Sequence, residues 1–317
     1  MLKVKLTTSF PDQPIIRQTP GGSGIWDGCH FFINEPMDEC DYWVVYEGLT
    51  REEAVRCPQG NTLLITAEPP PIKTYHPEFL AQFDQLITCQ RAIDHPRITF
   101  SQQAQPWHIG LRMKIGTPLH KPLAVTRDYD TFKHAALPRK EKLISILCST
   151  KTWTEGHRKR RDFALALKSA FGEKLDLYGR GFLAVEDKWD AIAPYKYHVA
   201  IENCSVPDYW TEKLADTFLG GSHPFYYGCP NIRDYFPADA LTQLDIADIG
   251  QALKTIDTVI AGGQFEKSLA AIEEARTQVL DKYNLFAVLA DYISKQICPE
   301  GARVKKVLYP EQRFGTK

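Results

Sequence analysis

One stretch constrains the fold of this chain more than any other: Tyr197-His198-Val199-Ala200-Ile201-Glu202-Asn203-Cys204-Ser205-Val206-Pro207-Asp208-Tyr209-Trp210-Thr211-Glu212-Lys213-Leu214. An apolar, β-forming run of strand length stops at the polar pair Glu202-Asn203, turns through Pro207-Asp208, and continues in a helical pattern as far as Gly220-Gly221. This is half of a βαβ unit. Pro224-Phe225-Tyr226-Tyr227-Gly228 reads as the next short strand, so the connection is a right-handed crossover between parallel strands. Ligands of such sheets bind beyond the carboxyl ends of the strands, which makes Glu202, Asn203 and the mouth of the helix a candidate site. A helix starting near Asp208 would turn unpaired amides and its positive dipole end outward, with Lys213 as a mobile cation one turn in. That mouth suits an anion. Glu212 would repel a phosphate but accept hydrogen bonds from sugar hydroxyls, so the group suits a sugar nucleotide.

The rest of the chain repeats the alternation of strand and helix. Met1 to Thr8, His30 to Asn34 and Asp41 to Glu47 read as strands, and Asn61 to Ala67 as a buried one that delivers Glu68 at its end. Pro69-Pro70-Pro71 cannot extend a ladder or a helix, so the chain leaves the sheet just after Glu68 and the carboxylate lies at a rim. A helix and a strand alternate from Pro77 to Arg91. Residues 133–142, around Pro138, read as an interdomain connector, giving domains 1–138 and 139–317. Lys142 to Ser149 then opens a second parallel sheet, Lys151 to His157 forms a loop, and a helix runs from Arg158 to Phe171. Arg158, Lys159, Arg160 and Arg161 crowd its first turn, where the dipole disfavours positive charge and a bound pyrophosphate would compensate. Residues 247–262 and 264–297 read as amphipathic helices.

The central stretch resembles the α1,3-fucosyltransferase signature of glycosyltransferase family ten. There, phenylalanine-glutamate-asparagine-serine is followed by aspartate-tyrosine-valine-threonine-glutamate-lysine. Here Ala200-Ile201-Glu202-Asn203, a four-residue spacer and Asp208-Tyr209-Trp210-Thr211-Glu212-Lys213 hold the same order, with Ile201, Cys204 and Trp210 as departures. The likeness continues through Gly220, Pro224, Gly228, Pro230-Asn231 and Tyr235-Phe236-Pro237, and upstream in Gly156-His157 and Asp176 to Phe182.

The resemblance implies two Rossmann-like α/β domains facing a cleft, the GT-B architecture, with an N-terminal acceptor domain, a C-terminal donor domain and last helices that could cross back. It implies inverting transfer of L-fucose from GDP-β-L-fucose to a hydroxyl of an acceptor glycan. Glu68 would be the general base, Arg160 would bind the donor in an Arg-x-x-Phe spacing completed by Phe163, and Lys213 would join it at the pyrophosphate. Tyr209 would hydrogen-bond phosphate or sugar, Glu212 the ribose hydroxyls, and Glu202 and Asn203 would shape the pocket. Competing readings are a transferase for another nucleotide sugar and a glycan- or nucleotide-binding protein without catalysis.

Composition narrows the partners. At 44% hydrophobic and 24% charged residues the chain is of the soluble globular class, and a net charge of -1 gives no reason to expect nucleic acid. The eight cysteines are too scattered to frame a structural zinc site and read as buried free thiols of a reducing compartment. Asp128-Tyr129-Asp130 imitates a metal-binding Asp-x-Asp but falls in a charged stretch that reads as a solvated loop, so no metal and no cofactor is expected. His95 and His108 read as satisfied or exposed histidines. No run reaches the ~20 apolar residues of a membrane span. Animal members of the family that the chain resembles are anchored by such a segment, so the resemblance implies a cytoplasmic, bacterial-type enzyme, with peripheral membrane association left open.

Overall fold

Short apolar runs, each interrupted by turn residues before a helix could form, build the first unit's sheet. The computed structural model describes residues 1–115, 121–150, 154–297 and 301–315. The chain divides into two units, Met1–Gln105 with Tyr283–Lys317, and Pro106–Lys282. In the first, strands β1 (Leu2–Thr8), β2 (Ile25–Trp26), β3 (Cys29–Ile33), β4 (Tyr42–Tyr46), β5 (Glu53–Pro58) and β6 (Thr62–Ile65) precede helix α1 (Pro77–Leu80), β7 (Gln85–Thr88) and β8 (Ile98–Phe100). The sheet order is β2-β3-β1-β4-β6-β7-β8. Every pairing is parallel except that of β2 with β3.

Interior parallel strands must be apolar on both faces, and the period of two sorts β4 accordingly. Tyr42, Val44 and Tyr46 join Val4, Leu6, Phe31, Leu63 and Ile65 on one side. Trp43 and Val45 join Leu64, Leu86 and Phe79 on the other. The first side is closed by the helix Leu285–Gln296, which contributes Leu285, Phe286, Leu289 and Ile293. The strand Arg303–Leu308 pairs antiparallel with β5, from Arg303 opposite Pro58 to Leu308 opposite Glu53.

The second unit begins with the antiparallel pair β9 (Leu111–Arg112) and β10 (Ala124–Val125) and helix α2 (Tyr129–His134). It continues as β11 (Lys142–Leu147), α3 (Glu155–Phe171), β12 (Leu175–Tyr178), α4 (Lys188–Ile192), β13 (Tyr195–Ile201), α5 (Glu212–Leu219) and β14 (His223–Tyr227). Strand β15 (Thr242–Gln243) and helices α6 (Ile249–Ala261), α7 (Gln264–Lys267) and α8 (Leu269–Asp281) complete it. The main sheet is parallel throughout, in the order β12-β11-β13-β14-β15. Ile144, Ile146, Tyr197, Val199 and Phe225 meet Phe163 and Leu167 of α3 and Ile256 of α6 in its core. In both units the strand order reverses beside the first strand, at β1/β4 and at β11/β13, so both are doubly wound α/β units with a switch point.

Four expectations need correction. Residues 106–138 are not split from the second unit by a connector: Asp216 Oδ1 accepts from the amides of His108 and Ile109, both at 3.0 Å, and Asp187 from that of Gly110 at 2.9 Å. Trp107 packs edge-on against Phe132, so this segment is sewn to α2, α4 and α5. Asp128 is not in a loop but caps α2, accepting from Thr131 N at 2.8 Å. Helix α3 starts at Glu155 rather than Arg158, because Thr154 caps it, which moves the basic run inward and leaves an acid in the first turn. Helix α5 starts at Glu212, capped by Thr211, while Asp208 sits in the preceding loop at φ 64°. Of the expected loop 151–157, residues 151–153 lie outside the described residues.

Phe286 is fully buried and meets Phe31 edge-on at 5.1 Å. Phe286→Ala should lower the stability of the first unit by about 3–5 kcal/mol, read as a fall in the urea midpoint; a midpoint unchanged within error would contradict this core.

Candidate functional site

At the switch point of the second unit the carboxyl ends of β11 and β13 meet the start of α3. A Cβ on Gly156 would lie 1.9 Å from the carbonyl oxygen of Asn203, so only glycine lets the helix come this close to the end of β13. That approach puts Arg160, one turn on, within reach of the strand end, and its Nη1 donates to Asn203 Oδ1 at 2.8 Å. Arg160 is 8% exposed, and its Nε is buried with no hydrogen-bond partner among the described residues. Burial pushes the neighbouring Cys148 thiol up, against the pull of the Arg160 guanidinium. A buried donor of this kind calls for an acceptor that the described residues do not supply.

Next to it lies a chain of buried charges. Glu202 is wholly buried at the entry to α5. It accepts from the amide and hydroxyl of Thr211 and from Lys213 Nζ at 3.1 Å. Gly228 leaves it room, since a Cβ there would lie 2.4 Å from Glu202 Cγ. Lys213 reaches Glu212 Oε1 at 3.5 Å, Lys188 reaches the same oxygen at 3.5 Å, and Lys188 closes on Asp216 Oδ2 at 2.7 Å.

The signs follow from this arrangement. Burial pushes the Glu202 carboxyl up, with Glu212 adding to it, against the pull of Lys213 and the Thr211 hydrogen bonds. Burial acts the same way on Glu212, but Lys213 and Lys188 outweigh it and hold the carboxyl well below the usual range. Burial lowers both lysines, yet their carboxylate neighbours prevail and keep them ammonium ions. His108 Nδ1 stands 3.6 Å from Glu212 Oε1, too far for a hydrogen bond, and burial with Lys188 pushes the imidazole down to about 4.

The predicted donor residues divide on these coordinates. Arg160, Asn203, Glu202, Glu212 and Lys213 come together around the carboxyl end of β13. Lys213 is not the mobile cation expected, because Glu202 and Thr211 hold its ammonium. Nor does the mouth of α5 present a bare positive end: Glu202 already accepts the Thr211 amide, so an acid of the chain itself answers the dipole. Tyr209, expected at the phosphate or sugar, is buried. Asp208 accepts from Asn231 Nδ2 at 2.9 Å and from the Tyr235 hydroxyl at 2.7 Å, which fixes the loop before α5. Lys188 and Asp216 escaped the sequence reading. The legible signal was a second acid one turn after Glu212, on an otherwise apolar helix.

In the first unit, Glu68 follows β6 and is partly exposed. Its carbonyl accepts from Gln90 Nε2 at 2.8 Å and its amide points to the Tyr75 hydroxyl at 3.4 Å, so its backbone is tied on both sides. Among the described residues no group of three His, Cys, Asp or Glu side chains could hold a metal ion, and no helix is long and apolar enough to cross a membrane.

Strand order makes this a doubly wound unit with its paired charges gathered at the switch point. Residues 137–257 match the family model for the C-terminal domain of glycosyltransferase family 10 (fucosyltransferase). The chain is 34% identical over 110 residues to a putative fucosyltransferase-like protein of Arabidopsis thaliana, covering 34% of this chain and 20% of that one. With the Homo sapiens 4-galactosyl-N-acetylglucosaminide 3-alpha-L-fucosyltransferase 9 it shares 31% over 130 residues, 38% of this chain and 35% of that one. This chain thus spans a fifth to about a third of these relatives' length. A crystal structure of an alpha1,3-fucosyltransferase with GDP-fucose aligns with 90% of this chain and 92% of its own, at 16% identity and a TM-score of 0.48.

Two outcomes follow from the charge network. Lys188→Met would leave Asp216 buried without its cation and Glu212 with Lys213 alone, and should cost about 3–5 kcal/mol; equal urea midpoints for variant and wild type would contradict the network. His108 stays neutral in the fold while its unfolded counterpart takes up a proton near 6.5. Its contribution is therefore present above about 6.5 and lost as pH falls toward about 4. The stability gap between wild type and His108→Asn should narrow across that window, and a gap constant with pH would contradict it.

Proposed function

We propose that this chain is an inverting fucosyltransferase that moves L-fucose from GDP-β-L-fucose to a hydroxyl of an acceptor glycan, with an α1,3-type linkage. The observation that carries the reading is Arg160, a buried guanidinium at the switch point with a donor left over, inside the segment that matches the family model. Relatives named as fucosyltransferases support the choice of sugar.

In this reading the second unit holds the donor. Arg160 meets the pyrophosphate, and Lys213 adds its positive charge beside it. Glu212 accepts from the ribose hydroxyls, while Glu202 and Asn203 set the positions of Lys213 and Arg160. The chemistry is one displacement: the acceptor oxygen bonds to the anomeric carbon as the bond from that carbon to the phosphate oxygen breaks. The acceptor proton passes to Glu68 and GDP departs with the electron pair. A hydroxyl is too weak an acid to ionise first, so the base acts during attack, a contribution of about 10²- to 10⁴-fold. Charge growing on the pyrophosphate is met by cations already in place, which needs no metal and no further cofactor.

Three variants separate binding from chemistry. Arg160→Ala should weaken GDP binding in calorimetry at least tenfold with little change in the unfolding midpoint. Lys213→Ala should weaken GDP and also destabilise the fold, because Glu202 is left buried without its cation. Glu68→Gln should lose at least ~10²-fold in transfer from GDP-fucose to an oligosaccharide panel while keeping GDP affinity. Wild-type affinity in Arg160→Ala, or wild-type transfer in Glu68→Gln, would remove that residue from its role.

A further inference from the structure

Glu47 is the most constrained acid of the first unit, and the reaction as described makes no use of it. It follows β4 at the unit's switch point, is buried, and adopts a left-handed backbone at φ 66°. Gly48 beside it has an ordinary φ, so the strained position carries a side chain where glycine would cost least. What that side chain does is specific. Oε2 accepts from the amide of Ala67 and from the hydroxyl of Tyr75, both at 2.7 Å, and Oε1 accepts from Lys73 Nζ at 2.7 Å. Burial raises the Tyr75 phenol well above its usual range, with Glu47 adding to it, so Tyr75 remains a donor to this carboxylate.

The partners of Glu47 converge on one short segment. Ala67 immediately precedes Glu68, and its carbonyl accepts from Gln105 Nε2 at 2.6 Å. Tyr75, while donating to Glu47, is 3.4 Å from the amide of Glu68. Gln90 Nε2 holds the Glu68 carbonyl at 2.8 Å and the Lys73 carbonyl at 3.0 Å. Lys73 is itself tied to Glu311 at 3.2 Å. Three prolines follow Glu68 and supply no backbone donors, so the segment cannot fix itself by a ladder or a helix.

We propose that Glu47 and Tyr75 are positioning residues that hold the Glu68 segment in the geometry its carboxylate needs for proton transfer. The role rests on the assignment of Glu68 as base given above. Glu47 grips the residue before Glu68 directly, and Tyr75 carries the same anchor to Glu68 itself. A displacement of about 1 Å in a reacting group can cost on the order of 10²-fold in rate, so loosening the anchor acts on turnover and not on donor affinity.

The test is steady-state kinetics with GDP-fucose and a panel oligosaccharide that the wild type fucosylates, alongside thermal melts. Tyr75→Phe, which removes one hydroxyl, should lower kcat about 10- to 100-fold, with KM for GDP-fucose within twofold of wild type and a melting temperature close to it. Glu47→Gln, which keeps the length but loses the pair with Lys73, should lower kcat in the same way. In the Glu68→Gln background Tyr75→Phe should add no further loss, because both changes then act on one absent step. A Tyr75→Phe variant at wild-type kcat while Glu68→Gln is impaired would overturn the positioning role alone, as would losses that multiply in the double variant. Wild-type kcat in Glu68→Gln would overturn the base assignment and this role with it.

Discussion

A carboxylate sealed from water must be answered from within the protein, and the answer given to Glu202 organises the second unit. Its oxygens take up the amide and hydroxyl of Thr211 and the ammonium of Lys213, so one buried side chain sets both the start of α5 and the place of a cation at the carboxyl end of β13. An uncompensated carboxylate in this position would cost several kcal/mol, so strand end, loop and helix start each depend on the others for their polar partners. Gly228 and Gly156 permit the arrangement by bringing backbone to where a methyl group would collide.

From that anchor the charges alternate outward through Lys213, Glu212, Lys188 and Asp216, and Asp216 in turn holds the amides of His108 and Ile109. The same network therefore does two jobs. It fixes Lys213 at the carboxyl end of β13, and it docks the segment that begins the second unit. Pairing in this way explains how several ionised groups are tolerated with so little water: each carboxylate shares a cation, and the imidazole among them stays neutral. In the first unit Glu47 plays the equivalent part at the corresponding strand ends, trading backbone strain for three hydrogen bonds.

Much of this was legible from residue order. The run from Tyr197 to Lys213 identified strand, loop and helix because the period changes from strand-like to helical across a proline turn, and the strands ending at Glu47 and Glu68 were visible as apolar runs. Helix starts are less legible because the caps, Thr154 and Thr211, stand among charged residues that read equally well as a first turn. The assignment of 106–138 to the second unit was not legible, since it rests on Asp216 and Asp187 accepting backbone amides far away in sequence. The compensation of Lys213 was missed for a related reason: a Glu-Asn pair at a strand end shows that polar groups gather there, but not that the glutamate turns inward. Glu47 was read only as the end of a strand, because left-handed backbone at a glutamate leaves no mark in sequence.

In the proposed function a nucleoside diphosphate meets Arg160 and Lys213 at the carboxyl ends of β11 and β13. A crystal structure of the full chain grown with GDP tests that most directly. The account predicts pyrophosphate oxygens within hydrogen-bonding distance of the Arg160 guanidinium, including its Nε, with Lys213 alongside. GDP bound elsewhere, with Arg160 still on Asn203 alone, would contradict it.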